Sequence, residues 1–425
     1  MKNLKKYTTK AEFNNDTNRD KQSSVSYVSN EGKCYTDYNI FKISGTYTGS
    51  SAPTLTFQNA STDASGRRTV TCDTSSGYKF SYTDTSASKS LYALCEKSTS
   101  IKKIEDLVVP PQCKNVESMF NNATTLTDID LKGFKGASVT NVQNFVYKAK
   151  SLTSFTNINC FDLSQVENAI QMMAETTLPN DQVQSILDRF KETNYGALTN
   201  MTALCNLCSG TTDLTFDMPT PNVTLMTNMI SNNPNLTSVT FGKNFDTSNV
   251  TNFVGLFHRS RNLQQINGLE RFNTSNVENM GYVFDDTSLS SIDINHFDTS
   301  KVTSMEGLFA NNGNNLSSIT MDKCDVSKVE NATNMFNGCY SITKLKLGKF
   351  VNLVSGKTMF QGCSNLRELE VCFGSKIKTE YSEGMFSGCT NLKIHTDFTT
   401  SSWLRNNYQK LGIDTTSVTV VGIVS

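Results

Sequence analysis

Imidazole is scarce in this chain: His258, His296 and His395 are its only histidines. No two of them stand at i, i+4 with a glutamate between, so the helix of a zinc protease is excluded. Neither a Gly-x-Ser-x-Gly nucleophile elbow nor a Walker phosphate loop occurs. Among the acids, Asp162, Asp246, Asp298 and Asp325 share one register, with Asn273 in the same place. Each is followed two residues later by a serine: Ser164, Ser248, Ser300, Ser327 and Ser275. Stacked carboxylates could hold Ca²⁺, but Asn273 interrupts the row, and the pair Asp128 and Asp130 lies outside it. A short oxygen acceptor before a turn more simply satisfies exposed backbone N–H groups. Acid pairs for glycoside hydrolysis would require distant residues to converge, and nothing in the sequence selects a pair. No catalytic residue, cofactor or metal site is therefore expected, and the chain reads as a non-enzyme.

The 12 cysteines point the same way. Cys339, Cys363 and Cys389 occupy one Gly-Cys slot in successive segments, and Cys324 stands where other segments have phenylalanine, so their spacing follows a repeat rather than a disulfide framework. They read as small buried hydrophobes in a reducing compartment. Cys205 and Cys208 form Cys-x-x-Cys, but no second pair lies at zinc-finger spacing.

The elements that position all of these residues come from a self-similar unit. It recurs about every 26 residues between Cys113 and Ile394. Its first half is Val-x-x-apolar-x-x-apolar-apolar, as in Val250, Phe253, Leu256 and Phe257, then Val277, Met280, Val283 and Phe284, then Val302, Met305, Leu308 and Phe309. Met335 and Phe336 continue the series. Spacings of three and four predict a short helical or 3₁₀ segment with one buried face. The second half, Leu-x-x-Ile-x-Leu, alternates and predicts a short strand, as in Leu289, Ile292 and Ile294. The last apolar residue of the first half gives eleven markers: Phe120, Val146, Met173, Cys208, Ile230, Phe257, Phe284, Phe309, Phe336, Phe360 and Phe386. The long gap after Met173 holds an amphipathic helix, near 181–192, with Val183, Ile186, Leu187 and Phe190 on one face. A unit this small cannot cover its own apolar face, so units must stack and share a core.

Composition argues against a nucleic-acid partner and favours turns. The 425 residues balance 39 basic against 39 acidic side chains, with no polybasic stripe for nucleic acid. Asn, Ser and Thr crowd the turns, where they bond to local backbone and could also meet a glycan. Met1 to Lys10 carries basic residues without a following apolar run, and no stretch reaches bilayer length, so neither a secretory signal nor a membrane span is expected.

The signature beginning Phe-Asp-Thr-Ser-Asn-Val at Phe245, with the Gly-Cys-Ser-Asn-Leu turn at 362–366, resembles the BspA-like bacterial surface-protein repeat, one of the leucine-rich repeats. That resemblance implies an α/β repeat fold, a solenoid with a strand and a short helical turn per coil, used for adhesion. A second resemblance joins Tyr7–Arg19, Ser24–Val28 and Glu31–Tyr35 to the N-terminal segment of virion proteins from crAss-like Bacteroides bacteriophages. It implies an attachment arm, in which Tyr7, Ala11, Phe13, Arg19 and Val25 would contact a capsid or tail protein.

The expected plan is an arm at 1–37, a small antiparallel β module at 38–100, the repeats at 101–398 and a C-terminal cap at 399–425. In that cap a helix from Ser402 to Gly412 and a strand from Val418 would let Trp403 cover the last coil. The expected function is a phage head or tail fibre on the virion surface, assembled in the host cytoplasm, that adheres to a host-surface glycan or protein as a homodimer or homotrimer. The alternatives are a BspA-like adhesin on a bacterial cell and a polysaccharide depolymerase fibre.

Overall fold

The computed structural model describes residues 91–134, 138–194, 196–416 and 418–422, together with short segments between 27 and 84 that are chiefly strand. The expected arm residues Tyr7, Ala11, Phe13, Arg19 and Val25 lie outside the described residues. The chain divides into two compact units, Met1–Leu198 and Thr199–Ser425.

In the first unit, β1 (Tyr27–Val28) pairs with β2 (Cys34–Tyr35), and β4 (Thr54–Thr56) with β5 (Arg67–Thr69), both antiparallel. The main sheet comprises β3 (Phe41–Tyr47), β6 (Thr71–Asp73), β7 (Lys79–Asp84), β8 (Ile101–Val108), β9 (Asp128–Asp130) and β10 (Ser154–Thr156), in the order β10-β9-β8-β3-β7-β6. Pairing is antiparallel from β6 to β8 and parallel from β8 to β10. The module expected to end at 100 thus shares one sheet with the repeats, with β8 hydrogen-bonded on both sides. Helix α1 (Asn180–Thr193) buries Val183, Ile186, Leu187 and Phe190, the face read from the sequence.

The second unit contains β11 (Asp213–Phe216), β12 (Ser238–Phe241), β13 (Gln265–Asn267), β14 (Ser291–Asp293), β15 (Ser318–Thr320), β16 (Lys344–Phe350), β17 (Glu368–Phe373), β18 (Lys393–Thr396), helix α2 (Phe398–Asn407) and β19 (Thr419–Gly422). Among the described residues its strand pairs are all parallel, in three sheets: β11-β12-β13, β14-β15 and β16-β17-β18-β19. Short 3₁₀ turns, among them Leu269–Arg271 and Thr379–Tyr381, lie outside the strands.

The apolar half of each repeat is not helical, which corrects the periodicity reading. It is a run of tandem turns in which alternate N–H groups have different partners. Met119, Asn121 and Ala123 donate three residues back, to Val116, Ser118 and Phe120. Val116, Ser118 and Phe120 donate instead to Asn141, Gln143 and Phe145 of the next repeat. Beyond its first turn an α-helix spends its N–H groups on itself and could not alternate them with a neighbour. The turns require left-handed residues four apart, such as Asn228 and Asn232, Gly307 and Asn311, or Gly384 and Gly388. Asparagine and glycine tolerate that conformation best. Spacings of three and four are common to helices and to this pattern, so the buried positions were legible while the backbone was not.

Two further corrections follow from the same pairing. Cys205, not Cys208, stands in the marker slot, since Cys205 N–H donates to Met229 O just as Phe309 N–H donates to Met335 O. An additional copy lies upstream, where Leu91, Ala93 and Cys95 donate to Asn115, Glu117 and Met119. Helix α2 begins earlier than expected, because the Asp397 carboxylate accepts from Thr400 N–H at 2.8 Å. The chain after it supplies one more partial turn, with Gly384 and Phe386 donating to Lys410 and Leu411. Trp403 packs edge-on against Phe373, with centroids 5.7 Å apart.

Candidate functional site

The residues singled out as repeat core, Val250, Phe253, Phe257, Val277, Met280, Phe284, Val302, Met305, Phe309, Met335 and Phe336, are all buried. Phe257, Phe284, Phe309, Phe336, Phe360 and Phe386 form one column of stacked rings, with successive centroids 5.9, 5.8, 5.5, 5.4 and 5.3 Å apart. Offset rings at such distances add favourable quadrupole contacts to the area they bury.

Three residues beyond the marker runs a second column, whose side chains bond carbonyls of the turns. Asn233 donates to Cys205 O and Ile230 O, Ser260 to Ile230 O, and Asn312 to Phe284 O and Phe309 O. The thiols of Cys339, Cys363 and Cys389 donate to Phe309 O, Phe336 O and Phe360 O at 3.0, 3.2 and 3.1 Å. Burial pushes the Cys339 and Cys389 thiols up to about 12 and raises Cys363 well above the ordinary thiol range. Groups held this firmly protonated are poor nucleophiles and poor metal ligands.

The register of acids does turn chemistry. The side-chain oxygens of Asp162, Asp246, Asn273, Asp298 and Asp325 each accept from the N–H of the serine two residues on, at 2.8–3.1 Å. The next residue, threonine in several copies, ties repeats together: Thr247, Thr274 and Thr299 are buried and donate to Asn273 O, Asp298 O and Asp325 O. The phenylalanine, acceptor and threonine of that signature thus have separate structural duties.

Sequence reasoning missed an asparagine ladder, two residues after the motif valine. Parallel bridges join Asn115, Asn141 and Asn168, and separately Asn200, Leu225, Asn252, Asn279, Ser304, Asn331 and Ser355. Each asparagine oxygen accepts a local N–H, as Asn279 does from Gly281 at 2.9 Å. Several amide nitrogens reach the preceding repeat: Asn141 donates to Glu117, Asn168 to Gln143 and Asn331 to Glu306, each at 3.0 Å. The recurrent Val-x-Asn was the available signal.

On the same half of the repeats stands a partly exposed polar cluster. His258 Nδ1 lies 2.6 Å from Asp285 Oδ2, at ion-pair distance but without the alignment of a hydrogen bond. Asp285 is buried and accepts from Asn311 at 2.8 Å. Tyr282 donates to Glu306 at 2.5 Å, and burial followed by that carboxylate raises its phenol above the ordinary range. Gly307 lies beneath the ring, where a Cβ would come within 2.4 Å of Tyr282 Cε1. The outer face of β16 and β17 carries paired charges instead, Lys344 with Glu368 at 2.9 Å and Lys346 with Glu370 at 3.4 Å. Among the described residues, no group of three or more His, Cys, Asp or Glu side chains is placed to hold a metal ion, and no helix is long and apolar enough to cross a membrane.

Parallel-stacked repeats, a filled core and ordered polar columns define the class: a mixed α/β repeat protein that carries side chains at fixed spacing. The chain belongs to the family described as Mycoplasma protein of unknown function, DUF285, whose model matches residues 103–186, 199–320 and 286–403. Among solved structures it is similar to a leucine rich cell surface protein from Faecalibacterium prausnitzii A2-165, at 14% identity, over 84% of this chain and 99% of that one, with a TM-score of 0.29. No curated protein matches.

Proposed function

We propose that this chain is a non-catalytic adhesin, a leucine-rich-repeat solenoid of the BspA-like kind that displays its half-exposed asparagine ladder at a bacterial surface and binds a glycan or protein there. The observation that carries this reading is the parallel bridge ladder from Asn200 to Ser355, which holds half-exposed asparagine amides and serine hydroxyls at one strand spacing, with Leu225 its apolar member. A periodic array of weak contacts gains strength by multivalency, most of all in a homodimer or homotrimer. Labelled full-length chain should bind intact bacterial or host cells saturably. Absence of saturable binding to any of a broad panel would sink the adhesin reading. Shortened products on incubation with capsular polysaccharide would replace it with a depolymerase.

A second carrier is favoured by one observation, the resemblance of Tyr7–Tyr35 to phage virion segments. On that reading the same array projects from a head or tail fibre, docked through Tyr7, Ala11, Phe13, Arg19 and Val25. Immuno-electron microscopy separates the two, since gold particles would decorate either cell envelopes or phage particles.

A further inference from the structure

In the second unit, the strands of neighbouring repeats part company between β13 and β14 and again between β15 and β16, while the turns stay joined; the first of these breaks is the one that opens a cleft. On the turn side, Phe257 and Arg259 donate to Val283 O and Asp285 O at 3.1 and 2.9 Å. On the strand side, β13 is the edge of its sheet and β14 the edge of its own. Between them opens a cleft of about 360 Å³, within the ~300–1,000 Å³ span of small-molecule sites.

Local sequence explains the opening. After β13 the chain turns at Gly268, whose φ of +86° and approach to Phe241 O leave no room for a Cβ. It then enters the 3₁₀ turn Leu269–Arg271. Ile266 consequently remains half-buried, whereas Val239 and Leu214, its partners along the ladder, are fully covered.

Both ends of the cleft are tied. At one end Ser288 N–H donates to Leu263 O at 3.0 Å. At the other, His296 Nε2 lies 2.9 Å from Leu269 O, a carbonyl that can only accept, so the proton is on Nε2. A peptide added as a strand along β13 or β14, each three residues long, would have to leave the cleft at the ends these ties cross. A compact group entering from solvent suits the cleft better.

The lining gives the chemistry of that group. Ile266, Leu269 and Leu289 form an apolar floor, and Gln264, Ser291 and Asp293 stand on the rim. Amide, hydroxyl and carboxylate together match the donors and acceptors of sugar hydroxyls, while the floor suits the C–H face of a pyranose. Among the described residues, no lysine or arginine lines the cleft, so sialic acids, uronic acids and phosphorylated sugars are poorly matched. The geometry points to a binding site for a neutral terminal sugar residue between β13 and β14. This assignment rests on the adhesin reading and gives it a locus.

The test is saturation-transfer NMR on the full chain with glucose, galactose, mannose and N-acetylglucosamine, followed by a neutral oligosaccharide array. At least one of these sugars should show transfer in the wild type. Ser291→Trp should fill the cleft and weaken array binding at least tenfold with an unchanged circular dichroism spectrum and melting temperature. Ser318→Trp, on the adjacent strand, should bind like wild type. Should Ser291→Trp perturb the fold, Gln264→Ala, at an exposed side chain, should still lower affinity severalfold. Undiminished sugar binding by both cleft variants overturns the proposal. So does a wild type that adheres to cells but binds no neutral sugar, a result that leaves the adhesin reading standing. A wild type that binds neither cells nor sugars removes both.

Discussion

The marker slot is filled differently in the two units. In the second, from Phe257 onward, it is an unbroken aromatic column, with the rings of Phe284 and Phe309 nearly parallel at an interplanar angle of 4°. In the first, the slot holds Cys95, Phe120, Val146 and Met173, and the aromatic bulk comes from other positions. Phe145 meets Phe120 edge-on at 5.4 Å, while Phe134 and Phe161 pack at 4.8 Å. Yet the backbone ladder is the same, since Phe120 N–H to Phe145 O and Phe309 N–H to Met335 O are both 2.9 Å. The turn ladder therefore demands that volume be filled and is indifferent to which neighbouring position fills it. Regular stacking is an additional source of stability available to the second unit.

The strongest way to break this comparison is to put a charge beside the column. Leu308 is buried, and Leu308→Asp should cost more than about 4 kcal/mol, because an unpaired carboxylate has no partner there. Hydrogen exchange should then show protection lost together across several repeats of the second unit; loss confined to one repeat would contradict a shared core. Phe309→Ala comes next, at about 3–5 kcal/mol, since it removes a ring stacked on both sides. Val146→Ala in the first unit removes two methyl carbons and should cost about 1.5–2 kcal/mol. Equal losses per carbon removed in urea titrations would mean that stacking adds nothing beyond volume.

The thiols sharpen the contrast through pH. Cys339 and Cys389 are raised by burial, so their stabilising effect is complete below the unfolded thiol value near 8.5 and is lost as pH climbs toward about 12. Each should cost about 1.4 kcal/mol per pH unit in that window. The melting temperature should fall steeply above pH 9, and replacing Cys339, Cys363 and Cys389 by alanine should flatten the fall. The smallest effect belongs to the acid register. Asp298→Ala should cost about 1 kcal/mol through the lost bond to Ser300 N–H. Asp298→Asn should be near neutral, as Asn273 makes the equivalent bond at 3.1 Å.

Much of this was legible in the residues. The period, the buried face of α1 and the turn duty of Asp162, Asp246, Asp298 and Asp325 follow from side-chain chemistry and spacing. Cys208 was mistaken for a marker because Cys205 and Cys208 are both buried apolar-like residues three apart, and only backbone pairing separates the two columns. The copy at Leu91–Ser98 escaped because its marker is Cys95 and it lacks the motif valine.

Sequence alone determined that small units recur and must share a core, because no single unit can cover its own apolar side chains. Only the tertiary structure decided where each N–H finds its acceptor, and with that the exchange of helix for tandem turns and the parting of β13 from β14. Those outcomes depend on hydrogen bonds between residues some 25 positions apart, and spacing within one repeat carries no record of them.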